Sequence, residues 1–148
     1  MENQIVRVMN LNAPVERVWV ALTDYKEFGS WFRLSLEGPF EVGKVTVGEV
    51  TFPGHEGMPF WARVEVMDEP RRFVFVWPMD ESVQPDDPHL DDKVTRVEFI
   101  LEPSGTGSKL TVRESGFEKL PEDKRMQAFR DNQGGWDAQV ENIRDFVE

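Results

Sequence analysis

The chain has 148 residues, of which 30% are charged, with a formal net charge of −11 and no cysteine. That length fits one domain, residues 1–148, able to bury about 68–70% of its unfolded surface without covalent staples. Absent cysteine excludes disulfides, thiolate zinc sites, cysteine nucleophiles and cysteine-ligated iron–sulfur clusters, while the acidity repels nucleic-acid phosphates and anionic lipid headgroups.

No apolar run approaches the ~18 residues that a membrane span requires. The start, Met1-Glu2-Asn3-Gln4, lacks the basic and then apolar regions of a secretory leader. These features, with the missing cysteine, place the expected protein in a reducing cytoplasm.

In chain order, Ile5 to Leu11 reads as a strand of β-branched and long apolar residues. Ile5, Met9 and Leu11 compete with Val6 and Val8 for its inward face. Pro14 then opens a helix, where its missing N–H costs nothing. Val15, Val18, Trp19 and Leu22 stand at i, i+3, i+4 and i+7, one apolar stripe. Thr23-Asp24 breaks and re-caps the chain, and Tyr25, Phe28, Trp31 and Phe32 outline a second, shorter helix.

From Arg33 to Phe117 the period switches to two, with strands expected near 34–37, 45–53, 59–68, 71–77, 94–102 and 108–116. Phe60, Ala62, Val64 and Val66 alternate with Trp61, Arg63, Glu65 and Met67. Phe73, Phe75 and Trp77, then Val97, Phe99 and Leu101, then Leu110, Val112 and Glu114 follow the same rule. One apolar and one mixed face indicate an antiparallel sheet covered on one side. The last helix starts at Pro121, with Glu122 and Asp123 in its first turn. Its stripe is Met126, Phe129, Trp136, Val140, Ile143 and Val147. Gly134-Gly135 interrupts it, at about 1 kcal/mol per glycine relative to alanine, and permits a bend or a close approach to the sheet.

Several segments look like chemistry and read better as structure. Gly38 to Lys44 resembles a phosphate-binding loop, but Val45 stands where a Ser or Thr should hold magnesium, and a strand follows rather than a helix. It reads as a turn. Pro78 to Asp92 carries six acids, one histidine and no base. Asp86, Asp87, His89, Asp91 and Asp92 could ligate a metal, yet their spacing matches no EF-hand, and a solvated, mobile loop is the simpler reading. His55 sits at a hairpin tip without a catalytic context. No metal site and no cofactor is assigned. Glu114 is the sharpest oddity, because alternation puts its carboxylate on the apolar face. It is either a polar anchor at a cavity wall or a strand-end group paired with an arginine or a helix-end amide.

The order of elements resembles the START-like, helix-grip superfamily, in the group related to the C-terminal domain of the activator of the Hsp90 ATPase. The resemblance rests on Asn12 to Trp19 with Leu22-Thr23-Asp24, Pro70 to Phe73 ahead of Trp77-Pro78, and Val97 to Leu101 before Gly105-Thr106-Gly107. It continues through Leu110 to Phe117 and Gly135-Trp136 with Val140 and Ile143. It implies an α+β helix-grip fold: about seven antiparallel strands curved around a long C-terminal helix, with two short helices after the first strand. It also implies an elongated apolar cavity between sheet and helix, and links the chain to stress response. Relatives bind lipids, sterols, polyketides or other hydrophobic molecules, and a few act on them as enzymes.

The expected function is therefore binding of a small hydrophobic or amphipathic ligand. Trp31 and Phe32 would stand at the mouth, Val64, Phe75, Trp77, Phe99 and Val112 on the sheet wall, and Asn132 and Trp136 on the helix. Glu114 would orient a polar end of the ligand. The alternatives are a chaperone-associated interaction module and an enzyme with Glu114 as acid or base. The expected partners are the ligand and, on the second reading, a chaperone, with neither nucleic acid nor membrane. The co-chaperone's separate chaperone-binding domain has no counterpart here, which argues against direct activator activity. No dinucleotide fingerprint supports electron transfer.

Overall fold

The computed structural model describes residues 3–148. Strand β1 (Gln4–Leu11) leads into helices α1 (Val15–Thr23) and α2 (Tyr25–Phe32). Strands β2 (Leu34–Leu36), β3 (Val45–Val50), β4 (Pro59–Asp68), β5 (Arg72–Pro78), β6 (Val94–Ser104) and β7 (Gly107–Ser115) follow, and helix α3 (Glu122–Val147) ends the chain. All strand pairs are antiparallel, in the order β1-β7-β6-β5-β4-β3-β2. Only the β1–β7 pairing joins strands distant in sequence, so five of the six pairings could be drawn from chain order alone.

Local chemistry sets the joints. The Asp24 carboxylate accepts from the N–H groups of Lys26 and Glu27 at 3.0 and 3.1 Å, so one residue ends α1 and caps α2. Arg33 closes α2 in the left-handed region at φ 72°, and the chain turns sharply into β2. Gly48 on β3 has to be a glycine, because a Cβ there would meet Ser35 O at 2.2 Å.

The concave face of the sheet buries Ile5, Met9 and Leu11 of β1, which settles the competition on that strand against Val6 and Val8, both exposed. Phe73, Phe75, Val97, Phe99, Leu110 and Val112 share this core with Val18, Leu22 and Phe28 from the short helices and Trp136 and Ile143 from α3. The stripe expected on α3 holds at Trp136 and Ile143, with Phe129, Val140 and Val147 half-buried against the core. Met126 is exposed, while Phe129 packs on Phe117, ring centroids 5.1 Å apart.

Two sequence expectations are corrected. A bulge on β4 between Val64 and Val66 makes Val64 pair with Phe75 and Val66 with Val74, so Met67 lies opposite Phe73. Met67 rather than Val66 therefore continues the inward face, and it packs on the core. The acidic segment after β5 is also tethered rather than free. Val83 and Leu90 are buried with Trp61, Val76 and Val94 in a small cluster on the convex face, and the Trp61 indole donates to Val83 O at 2.9 Å. Among the described residues, no group of three or more histidine, aspartate or glutamate side chains is placed to hold a metal. None of the described helices is long and apolar enough to cross a membrane.

Candidate functional site

Helix α3 is the lid of the sheet, and its face toward β5 carries Asn132, Trp136 and Gln139 at i, i+4 and i+7. Opposite stand Trp77 at the end of β5, Phe60 at the start of β4 and Phe32 at the end of α2. The four rings form one group: Trp77 stacks on Trp136 at 5.7 Å between centroids, and Phe32 lies 5.9 Å from Trp77, 6.2 Å from Trp136 and 6.4 Å from Phe60. They border a pocket of about 330 Å³ that opens to solvent. Leu34, Val50, Met58 and Pro59 complete its apolar wall, and Asp80 and Glu81 stand with Asn132 and Gln139 as its polar groups.

Gly135 also borders the pocket. A Cβ added at Gly134 or Gly135 would meet no atom within 4 Å, so the pair does not serve a close approach to the sheet. At Gly135 the missing side chain leaves room in the pocket instead.

Behind the aromatic wall lies Glu114, fully buried. Its Oε2 accepts from Thr95 Oγ1 at 2.5 Å, Asn132 Nδ2 at 2.8 Å and Trp77 Nε1 at 2.9 Å, and its Oε1 accepts from Trp136 Nε1 at 2.9 Å. Burial pushes the carboxyl above its ordinary range, and the hydrogen bonds from Thr95, Trp136, Trp77 and Asn132 oppose that rise. The carboxylate does not border the pocket; it holds two tryptophans and an asparagine that do. On the opposite face of the neighbouring strand, Glu98 behaves differently: burial pushes its carboxyl up, but the Arg72 and Arg113 guanidinium groups, at 2.5 and 3.0 Å, outweigh burial and hold it low.

Of the residues expected at the site, Phe32, Trp77, Asn132 and Trp136 line the pocket. Trp31, expected at its mouth, is buried instead, its indole donating to Ala21 O at 2.8 Å and its ring packed on Phe28 at 4.9 Å. Val64, Phe75, Phe99 and Val112 are core residues away from the pocket. Phe28 and Phe40 fill the space over their part of the sheet, Phe28 lying 6.2 Å from Phe75 and Phe40 5.2 Å from Phe73. The pocket lies toward the β2–β5 end. Gln139 was readable from helical spacing against Trp136, and Gly135 from its spacing to Asn132 and Gln139. Leu34, Val50 and Met58 come from the β2–β3–β4 corner, and no local pattern marks them.

A curved antiparallel sheet closed by a long C-terminal helix, with two short helices after the first strand, is the helix-grip arrangement. The chain belongs to the family described as Activator of Hsp90 ATPase homolog 1-like protein, whose model matches residues 12–148. Solved structures share the fold. A protein from Arthrobacter aurescens is 21% identical with a TM-score of 0.78, over 97% of this chain and 85% of that one. CalU16 from Micromonospora echinospora is 20% identical with a TM-score of 0.64, over 98% and 76%. The Aha1 dimer from Colwellia psychrerythraea is 14% identical with a TM-score of 0.73, over 99% and 97%. No curated protein matches the chain in sequence.

Proposed function

We propose that this protein binds a small hydrophobic or amphipathic molecule in the pocket between sheet and C-terminal helix. The observation that carries the reading is the pocket of about 330 Å³, walled by Phe32, Phe60, Trp77 and Trp136 and opened by Gly135. Pockets that take small molecules have this size and this make-up, an apolar body with a few placed polar groups. In this reading Phe32, Trp77, Asn132 and Trp136 touch the ligand, while Val64, Phe75, Phe99 and Val112 back the wall. On the same reading Glu114 acts through Trp77, Asn132 and Trp136 rather than on the ligand, since its carboxyl accepts from all three and does not border the pocket.

Titration with N-phenylnaphthylamine, a neutral apolar fluorophore, tests the reading. One saturable site is expected, with quenching of tryptophan emission by energy transfer from Trp77 and Trp136. Linear, non-saturating uptake, unchanged when Trp77 is replaced, would refute it. A second reading, a module that contacts a chaperone, draws its support from the family's description. Stimulation of a chaperone's ATP hydrolysis by the isolated chain would favour it.

A further inference from the structure

The charged groups of the pocket are of one sign. All three indole N–H groups of its tryptophans are turned away, Trp77 and Trp136 each donating to Glu114 at 2.9 Å and Trp61 to Val83 O at 2.9 Å. Asn132 turns its amide nitrogen to Glu114 at 2.8 Å, and Gln139 turns its own to Phe32 O at 3.1 Å. Each amide keeps a second N–H and its oxygen, and the charged groups of the pocket are the carboxylates of Asp80 and Glu81 alone, which accept and do not donate. Among the described residues, none of those bordering it is lysine, arginine or histidine. The cation near Asp80 is Lys124, 3.7 Å from Oδ2 and outside the lining. The Ser82 hydroxyl and N–H hold Asp80 in place at 2.5 and 2.9 Å, and the hydroxyl bond also keeps its carboxyl below the ordinary range. The apolar wall consists of indole and phenyl rings, whose π faces attract a cation.

Building on the small-ligand reading above, we propose that the pocket's ligand is an organic cation, a flat apolar body carrying a protonated amine directed at Asp80, Glu81 and the Asn132 amide oxygen. An ammonium brings three donors for the carboxylates and the charge the rim favours. A carboxylate or sulfate head would face two carboxylates and no cation of the lining, in a chain of net charge −11.

Three probes that share one ring system separate the possibilities: naphthylmethylamine, naphthylmethanol and naphthoate, titrated by tryptophan quenching near neutral pH. The amine is expected to bind about tenfold tighter than the alcohol, and naphthoate weakest. Asp80→Asn/Glu81→Gln should bring the amine-to-alcohol ratio close to one. Asp91→Asn/Asp92→Asn, an equal charge change at exposed positions away from the pocket, should leave that ratio nearly intact. If the alcohol or naphthoate binds as tightly as the amine, or if both double variants erase the preference equally, the cation assignment falls while the small-ligand reading stands. If no probe saturates a site, both fall.

Discussion

Gly135 provides a perturbation in which stability and binding should move in opposite directions. It lies inside α3, borders the pocket, and a Cβ placed on it meets no atom within 4 Å. Gly134 is equally free of contacts but does not border the pocket. In a helix interior, replacing glycine by alanine gains about 0.8–1 kcal/mol, and leucine is nearly as good. Gly134→Ala and Gly135→Leu should therefore both stabilise the protein by roughly 0.5–1 kcal/mol in urea melts. Their effects on N-phenylnaphthylamine binding should differ. The isobutyl group of Gly135→Leu enters a space of about 330 Å³, and forcing further groups into filled space costs about 1–3 kcal/mol. Affinity should fall by roughly ten- to a hundredfold, with Gly134→Ala unchanged. Unaltered affinity in a stabilised Gly135→Leu would show that the ligand sits elsewhere. A loss of stability above about 1 kcal/mol would show that the space beside Gly135 is closed, and the reasoning would fail at its first step.

Glu114→Gln should cost about 1–3 kcal/mol, because an amide nitrogen replaces an oxygen among N–H and O–H donors. The difference should also depend on pH. Burial raises the carboxyl in the folded state, so the folded protein holds the proton longer than the unfolded chain, and wild-type stability falls as pH rises through that window. Urea melts from about pH 4 to about pH 8 should show the wild-type advantage over Glu114→Gln shrinking with pH; a constant or growing advantage would contradict the assignment. Trp136→Ala should cost about 3–5 kcal/mol through loss of a buried ring, whereas Trp136→Phe should cost about 1–3 kcal/mol, chiefly for the donor lost to Glu114. A loss below about 1 kcal/mol in the alanine variant would place Trp136 outside the core. Leu90→Ala should release the segment after β5, with hydrogen exchange and proteolysis rising across residues 79–93 and global stability falling by only ~1–2 kcal/mol, since a surface segment relaxes around the loss. Unchanged exchange there would mean Leu90 is not the tether.

The sequence by itself determined the elements and most of their faces. Period-two runs placed strands whose ends moved by three residues at most, as at the end of β3, and Asp24 carried the chemistry to end one helix and cap the next. These are local properties, written in side-chain spacing and in caps that bond two or three residues away. Alternation also put Glu114 on the inward face, where it is, without saying what meets it there. Its donors come from β5, β6 and α3, and only the folded chain brings them together. The bulge at Val64–Val66 was hidden for a similar reason: one unpaired residue moves Met67 inward and Val66 outward, and it exists only relative to the partner strand β5. The site depended most on tertiary structure. Ten residues of suitable type pointed inward by pattern, but a pocket is volume that other side chains leave unfilled. Phe28 and Phe40, arriving from α2 and the β2–β3 loop, fill the space over Phe73 and Phe75. Gly135, by having no side chain, keeps the other end open. Periodicity records which way a residue faces; whether atoms or empty space stand opposite is settled by packing between distant segments.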